Sequence, residues 1–228
     1  MNYRFFLFIY FLLFLPTLLF SQNMKVINDL RSRTSLGIVK KLTNNLTAFS
    51  EVELGLEEDI SKLGKIHAEG GLVYSPFKFL DLDAKYRFTK NRKNYSEEYK
   101  YTHMVALSAE AKYKIDRLKL YYRFQYQTID DDATSNQSND TNRNIYKNRL
   151  KLKYNLKGTK LTPYAYSEIY ILAGINGIGA TKLKTIAGFE YPLKKHHEIK
   201  LYYRNDKELT NYIPYMYHTM GFSYTYNF

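Results

Sequence analysis

Arg149, Lys151 and Lys153 stand at every second position of one stretch, with Leu150 and Leu152 between them. On an extended chain such residues share a face, so three cationic heads project together. Lys119 and Arg123 occupy the polar face of the preceding stretch, and Glu110 and Glu168 are acids in equivalent positions. Charges of this kind have two uses inside an enclosed space. Opposite signs pair off and stiffen the interior, because unpaired charge is costly there. An excess of cations instead attracts carboxylates and phosphates, in the way that charged rings bias a pore.

Hydrolytic chemistry is the competing use. A nucleophilic Ser needs a His within hydrogen-bond reach, and on a strand the local signature is His-x-Ser. It is absent: His67 is followed at plus two by Glu69, His103 by Val105, His197 by Ile199 and His218 by Met220. His196 and His197 are adjacent and so alternate faces, while His103 and His218 read as interfacial aromatics. Asp130-Asp131-Asp132 offers three carboxylates to a cation such as Ca²⁺, but no Gly or Glu follows at the EF-hand positions, so a solvated loop is the simpler reading. No catalytic residue, metal ligand or cofactor-binding residue is assigned from the sequence, and no cofactor is implied.

The elements that carry these residues have a period of two. From Tyr99 to Ile115 the odd positions are Tyr, Tyr, His, Val, Leu, Ala, Ala, Tyr and Ile, and the even ones are mostly Lys, Thr, Ser and Glu. Leu118–Gln127 and Tyr146–Leu156 repeat the pattern. Alternation of this length marks a strand with one apolar and one polar face. Aromatic residues at both ends of the apolar face suit a membrane strand, whose girdles sit at the two interfaces. Strands are predicted near 31–41, 45–57, 63–75, 77–89, 98–115, 117–129, 143–157, 160–172, 180–192, 196–207 and 213–228. Their connections alternate between short turns and longer polar loops such as Lys90–Glu97 and Asp130–Asn142. Eleven segments conflict with the even count usual for bacterial barrels. The expectation is therefore about 10 to 12 strands with 12 preferred, residues 23–30 supplying a short extra strand or threading the lumen.

The amino-terminal residues address the compartment. Arg4 supplies a charge, Phe5–Phe20 is an apolar run broken only by Pro16, and Ser21 is a small residue before Gln22. This order predicts a cleaved signal peptide over 1–21 and a single barrel domain over 22–228. The run is too short for a spanning helix, which needs roughly 18 to 20 residues. Aromatic residues make up 17% of the chain, with 24 Tyr, 14 Phe and no Trp, and Cys is absent. The net charge is +12; behind an export signal it points to a basic interior and rim rather than to nucleic acid. The last strand alternates Met216, His218, Met220, Phe222, Tyr224, Tyr226 and Phe228 on one face. Its terminal Phe is similar to the signal that barrel-insertion machinery reads in outer-membrane proteins.

Arg33-Thr-Ser-Leu-Gly-Ile-Val-Lys-Lys-Leu42 followed by Asn45–Leu54 resembles the start of the DUF2490 proteins, an uncharacterised group of envelope β-barrels. Lys85–Phe88, Lys151–Asn155, Thr162–Glu168 and Leu201–Glu208 extend the resemblance over nearly all of the mature chain. It implies a barrel in an outer-membrane setting and transfers no catalytic residue. The expected architecture is thus all-β: an antiparallel transmembrane barrel in outer-membrane lipid, with short periplasmic turns and longer extracellular loops. Lys119, Arg123, Arg149, Lys151, Lys153, Glu110 and Glu168 are expected to line its lumen. The expected role is an outer-membrane barrel of unassigned activity, for which a narrow, anion-preferring channel for small acidic solutes is the leading reading. A lipid-modifying enzyme and a surface adhesion or structural barrel are the alternatives.

Overall fold

The computed structural model describes residues 27–92, 98–131, 143–174, 177–210 and 214–228. The expected signal peptide and most of the acidic Asp130–Asn142 loop lie outside them. Eleven strands close into one barrel: β1 (Ile27–Lys41), β2 (Leu46–Glu57), β3 (Lys62–Phe77), β4 (Leu80–Arg92), β5 (Tyr99–Ile115), β6 (Leu118–Asp131), β7 (Arg143–Tyr154), β8 (Thr162–Gly174), β9 (Gly177–Lys194), β10 (His197–Glu208) and β11 (Tyr215–Asn227). Every sequential pair is antiparallel, and the closing pair, β1 with β11, is parallel from Ile27↔Tyr215 to Val39↔Asn227.

The count of eleven falls within the expected 10 to 12, one below the preferred twelve. Ile27–Leu30 make no strand of their own. They continue the alternation of β1, with Asp29 in phase with the inward-facing Arg31 and Arg33, and pair with β11 from its first residue. An odd number of strands leaves the first and last running the same way, and a parallel ladder satisfies their backbone groups as completely as an antiparallel one. A second boundary also moves. The break expected between the strands at 63–75 and 77–89 lies instead at Lys78-Phe79, and Pro76 falls within β3 where the register to β4 shifts between Tyr74 and Phe77. Proline has no N–H to donate, so an interrupted ladder is where it is tolerated.

The direction of the side chains follows the sequence pattern. Leu36, Leu54, Leu107, Leu150, Leu201 and Met220 are exposed on the outer surface, Leu107 at 56%. Arg33, Glu53, His67, Asp83, Glu110, Glu168, Glu190 and Asp206 are buried, facing the barrel axis. Aromatic residues mark the ends of the outer face: Tyr113, Phe77 and Phe79 at the turn end, and Tyr86, Phe88 and Tyr101 toward the loops. Tyr86 shares a hydrogen bond of 2.6 Å with His103 on the neighbouring strand, and Tyr203 contacts His218 in the same manner. Both imidazoles thus extend the aromatic surface. Two inward glycines make room for the interior: the Arg33 guanidinium lies over Gly55 and the Tyr202 ring over Gly221, where a Cβ would collide.

Candidate functional site

The barrel interior is organised in charged layers. Toward the end formed by the short turns, Glu190 on β9 is met by Lys153 at 2.6 Å and Lys151 at 3.5 Å from β7, and by Lys200 at 3.8 Å from β10. Lys200 also reaches Glu198 at 3.0 Å. On the opposite wall Asp81 pairs with Lys112 and accepts the Ser75 hydroxyl at 2.6 Å.

At mid-height Glu110 on β5 accepts from Arg123 at 3.0 Å and from Arg149 at 2.7 Å. This works because β6 lies between β5 and β7, with Arg123 opposite Glu110 on one side and opposite Arg149 on the other. Glu69 takes Lys85 at 3.2 Å and Arg87 at 2.6 Å. Glu168 holds Lys184 at 3.4 Å, and Lys184 also donates to the Tyr170 hydroxyl. Tyrosine rings fill the gaps between cations: Lys151 lies 4.8 Å from the centre of Tyr164, Arg149 5.3 Å from Tyr166, and Lys147 4.5 Å from Tyr170. Such cation–π contacts stabilise a partly desolvated ammonium without neutralising it.

Toward the loop end, sharing Arg87, Lys147, Tyr170 and Lys184 with the mid-height layer, the interior opens into a cavity of about 480 Å³. Its wall includes Arg33, Lys65, Arg87, Lys147, Lys182 and Lys184. Nine of its lining residues are Lys or Arg and five are Asp or Glu. At the rim Arg31 is bound by Asp29 at 2.6 Å and stacks 3.6 Å from the Tyr217 ring, while Arg33 donates to Glu57 at 2.7 Å. The β2–β3 loop closes over this rim with Glu58, Asp59 and Ile60 all at positive φ. That conformation is costly for residues with a Cβ. It is held by Asp29, which accepts from the Asp59 N–H at 3.1 Å, and by the pair between Glu58 and Arg92. Partial desolvation alone would raise the Glu58 pKa, but Arg92 and Lys62 hold this carboxyl below its ordinary value.

The seven residues singled out by the sequence separate into distinct groups. Glu110, Arg123 and Arg149 form one cluster, Lys151 and Lys153 share Glu190, and Glu168 serves Lys184. Lys119 lies across from Lys114 and Lys153 and has no ion pair among the described residues. None of the seven lines the cavity. Its cations come instead from inward positions nearer the loops, and Lys182, Lys184 and Arg204 are in phase with the same alternation on β9 and β10. The signal for them was present, but height along the axis is set by strand stagger, which the alternation does not encode.

Residues 33–211 match the family described as Protein of unknown function (DUF2490), a span running from within β1 past the end of β10. The chain belongs to this family. No curated protein matches this DUF2490 chain. Among solved structures, the β-domain of the Bordetella autotransporter BrkA is similar with a TM-score of 0.49 at 11% identity, covering 77% of this chain and 81% of that one. The translocator domain of the autotransporter NalP from Neisseria meningitidis gives 0.45 at 12% identity over 74% and 70%. OmpT of Vibrio cholerae gives 0.41 at 13% over 73% and 56%. Each of these likenesses, at 11% to 13% identity, is one of fold alone.

Proposed function

We propose that this barrel resides in the outer membrane of a Gram-negative cell as a narrow channel that prefers small anionic solutes. The carrying observation is the cavity of about 480 Å³, in whose wall cationic side chains outnumber acidic ones nine to five. A concave space of this size suits a small molecule. An excess of fixed positive charge in a low-dielectric enclosure concentrates anions at its mouth. In this reading the short turns are periplasmic, and the loop end, where the cavity lies, is extracellular. The strand ending at Phe228 is what the insertion machinery engages. The ion-paired layers around Glu110 and Glu190 form the narrow part of the path, with Arg149, Lys151 and Lys153 passing the solute from one cation to the next. Binding at several moderate sites is what conduction needs, since one tight site would trap the solute.

Planar-bilayer recording under a salt gradient tests the proposal. The purified protein is expected to conduct with a reversal potential on the anion-selective side. Changing Lys147→Glu and Lys182→Glu together reverses two charges in the cavity wall and is expected to move selectivity toward cations. Absence of conductance, or cation selectivity in the unmodified protein, overturns the reading.

A further inference from the structure

Three ligand-type side chains meet on the cavity wall. Glu51 and Glu53 alternate on β2 and so face inward together, and His67 on β3 stands directly opposite Glu53 in the register. One donor atom from each lies within 4.8 Å of the other two. His67 is 3% exposed, and among the described residues neither of its ring nitrogens has a hydrogen-bond partner. Glu53 Oε1 is 3.4 Å from Nδ1 and Glu51 Oε1 is 3.9 Å from Nε2. The imidazole is therefore held between two carboxylates at distances too long for good hydrogen bonds, which typically span 2.7–3.2 Å. A buried polar ring left in this state is costly unless a further species completes it.

The Glu53 distance suits a metal ion. Ligands about 2.0–2.1 Å from a tetrahedral centre lie roughly 3.3–3.4 Å from one another, matching the 3.4 Å between Nδ1 and Glu53; an ion held there takes His67 through Nδ1, and Glu51, which approaches the ring at Nε2, turns to reach it. We propose that Glu51, Glu53 and His67 form a site for one divalent transition-metal ion, Zn²⁺ being the ion whose preference for imidazole nitrogen and carboxylate oxygen fits the donor set. Zn²⁺ sites with three protein ligands keep a further position open. Here that position faces the cavity, because all three residues line it. Two cations approach Glu53, with Arg33 at 3.5 Å and Lys65 at 4.0 Å. Among the described hydrogen bonds neither donates to it, and Arg33 gives its short one to Glu57 at 2.7 Å. Both cations ion-pair with the same Oε1 that faces His67, so a bound metal competes with them for this oxygen. Glu51, half-buried, has the freedom to swing onto the metal. The site stands on this geometry alone and does not depend on the channel reading.

The test uses the untagged full-length barrel folded in detergent, equilibrated with Zn²⁺ and analysed for bound metal by mass spectrometry. One Zn²⁺ per chain is expected. His67→Ala and Glu53→Gln are each expected to weaken binding by at least the roughly 10- to 100-fold that loss of an outer-shell partner costs, and His218→Ala on the outer face should leave it unchanged. X-ray absorption at the zinc edge of the unmodified protein supplies a readout that needs no variant: one imidazole nitrogen and otherwise oxygen neighbours. No stoichiometric zinc in the unmodified barrel, full binding by a folded His67→Ala variant, or two imidazoles around the metal would each overturn the site.

Discussion

At the scale of single residues, what matters is how charge is kept inside a barrel. Among the described residues Glu110 is the one carboxylate within 3.0 Å of both Arg123 and Arg149, which face each other across β6 and β7. Glu110→Gln removes the charge but not the volume. It leaves two guanidiniums opposed, with only Asp83, 3.9 Å from Arg123, to offset them. Truncating one partner of a fully buried pair costs about 3–5 kcal/mol, but these side chains retain 23% and 16% exposure to the lumen. Urea unfolding in lipid vesicles should therefore show a loss of about 1–3 kcal/mol. Lys119→Gln, which breaks no ion pair described here, should stay within about 0.5 kcal/mol. Equal effects would mean that the cluster carries no net stabilisation. The sequence marks Glu110, Arg123 and Arg149 as a set because they share phase on successive strands. It is silent on His67, whose informative neighbours are Glu53 and Glu51 across the β2–β3 pairing. A search at plus two along one strand meets only Glu69. Cross-strand partners follow from register, and register is a property of the assembled sheet.

At the scale of elements, the strands are legible and their closure is not. All eleven were placed from alternation, since a run with one greasy and one charged face has a single way to lie between lipid and an axis. The preference for twelve within the expected range of about 10 to 12 rests on the even count usual for bacterial barrels; eleven strands close instead because β1 and β11 pair in parallel. The fact that Asp29 keeps phase with Arg31 was the available sign that residues before 31 extend β1. The seam can be tested directly because the chain has no Cys. Ser35 and Ser223 are partners in the parallel register, and both are buried. Neighbouring strands lie about 4.7–4.9 Å apart, within the range a disulfide spans. Ser35→Cys combined with Ser223→Cys should form a bond under mild oxidation of the folded barrel, seen as faster migration of the denatured, non-reduced chain. An extra strand inserted between β1 and β11 would separate these positions by about 9–10 Å, and failure to cross-link would reinstate it.

At the scale of the whole molecule, the surface and the interior are inverted relative to a soluble protein. Exposed Leu, Ile, Val, Tyr and Phe encircle the barrel, while Arg, Lys, Glu and Asp fill it. Soluble monomers seldom expose a contiguous apolar patch beyond a few hundred Å², and the proposed membrane setting would cover this exposed apolar surface with acyl chains. The cost of placing a charge on that surface must then depend on depth, which distinguishes a membrane from a detergent-like protein partner. Leu107 is at the centre of β5 and 56% exposed; Tyr113, near the turn end of the same strand, is 64% exposed. Both point outward with the same phase, so they differ mainly in height. Leu107→Arg should destabilise the barrel in lipid vesicles by about 2–4 kcal/mol, the midplane value, whereas Tyr113→Arg should forfeit only about 0–1 kcal/mol from its charge near the interface. Arginine at Tyr113 also gives up the ring's girdle contact, so a Tyr113→Leu control separates that loss from the charge. A flat profile, with equal charge costs at both heights, would mean that the outer surface meets a uniform environment, and the membrane assignment would fail with it.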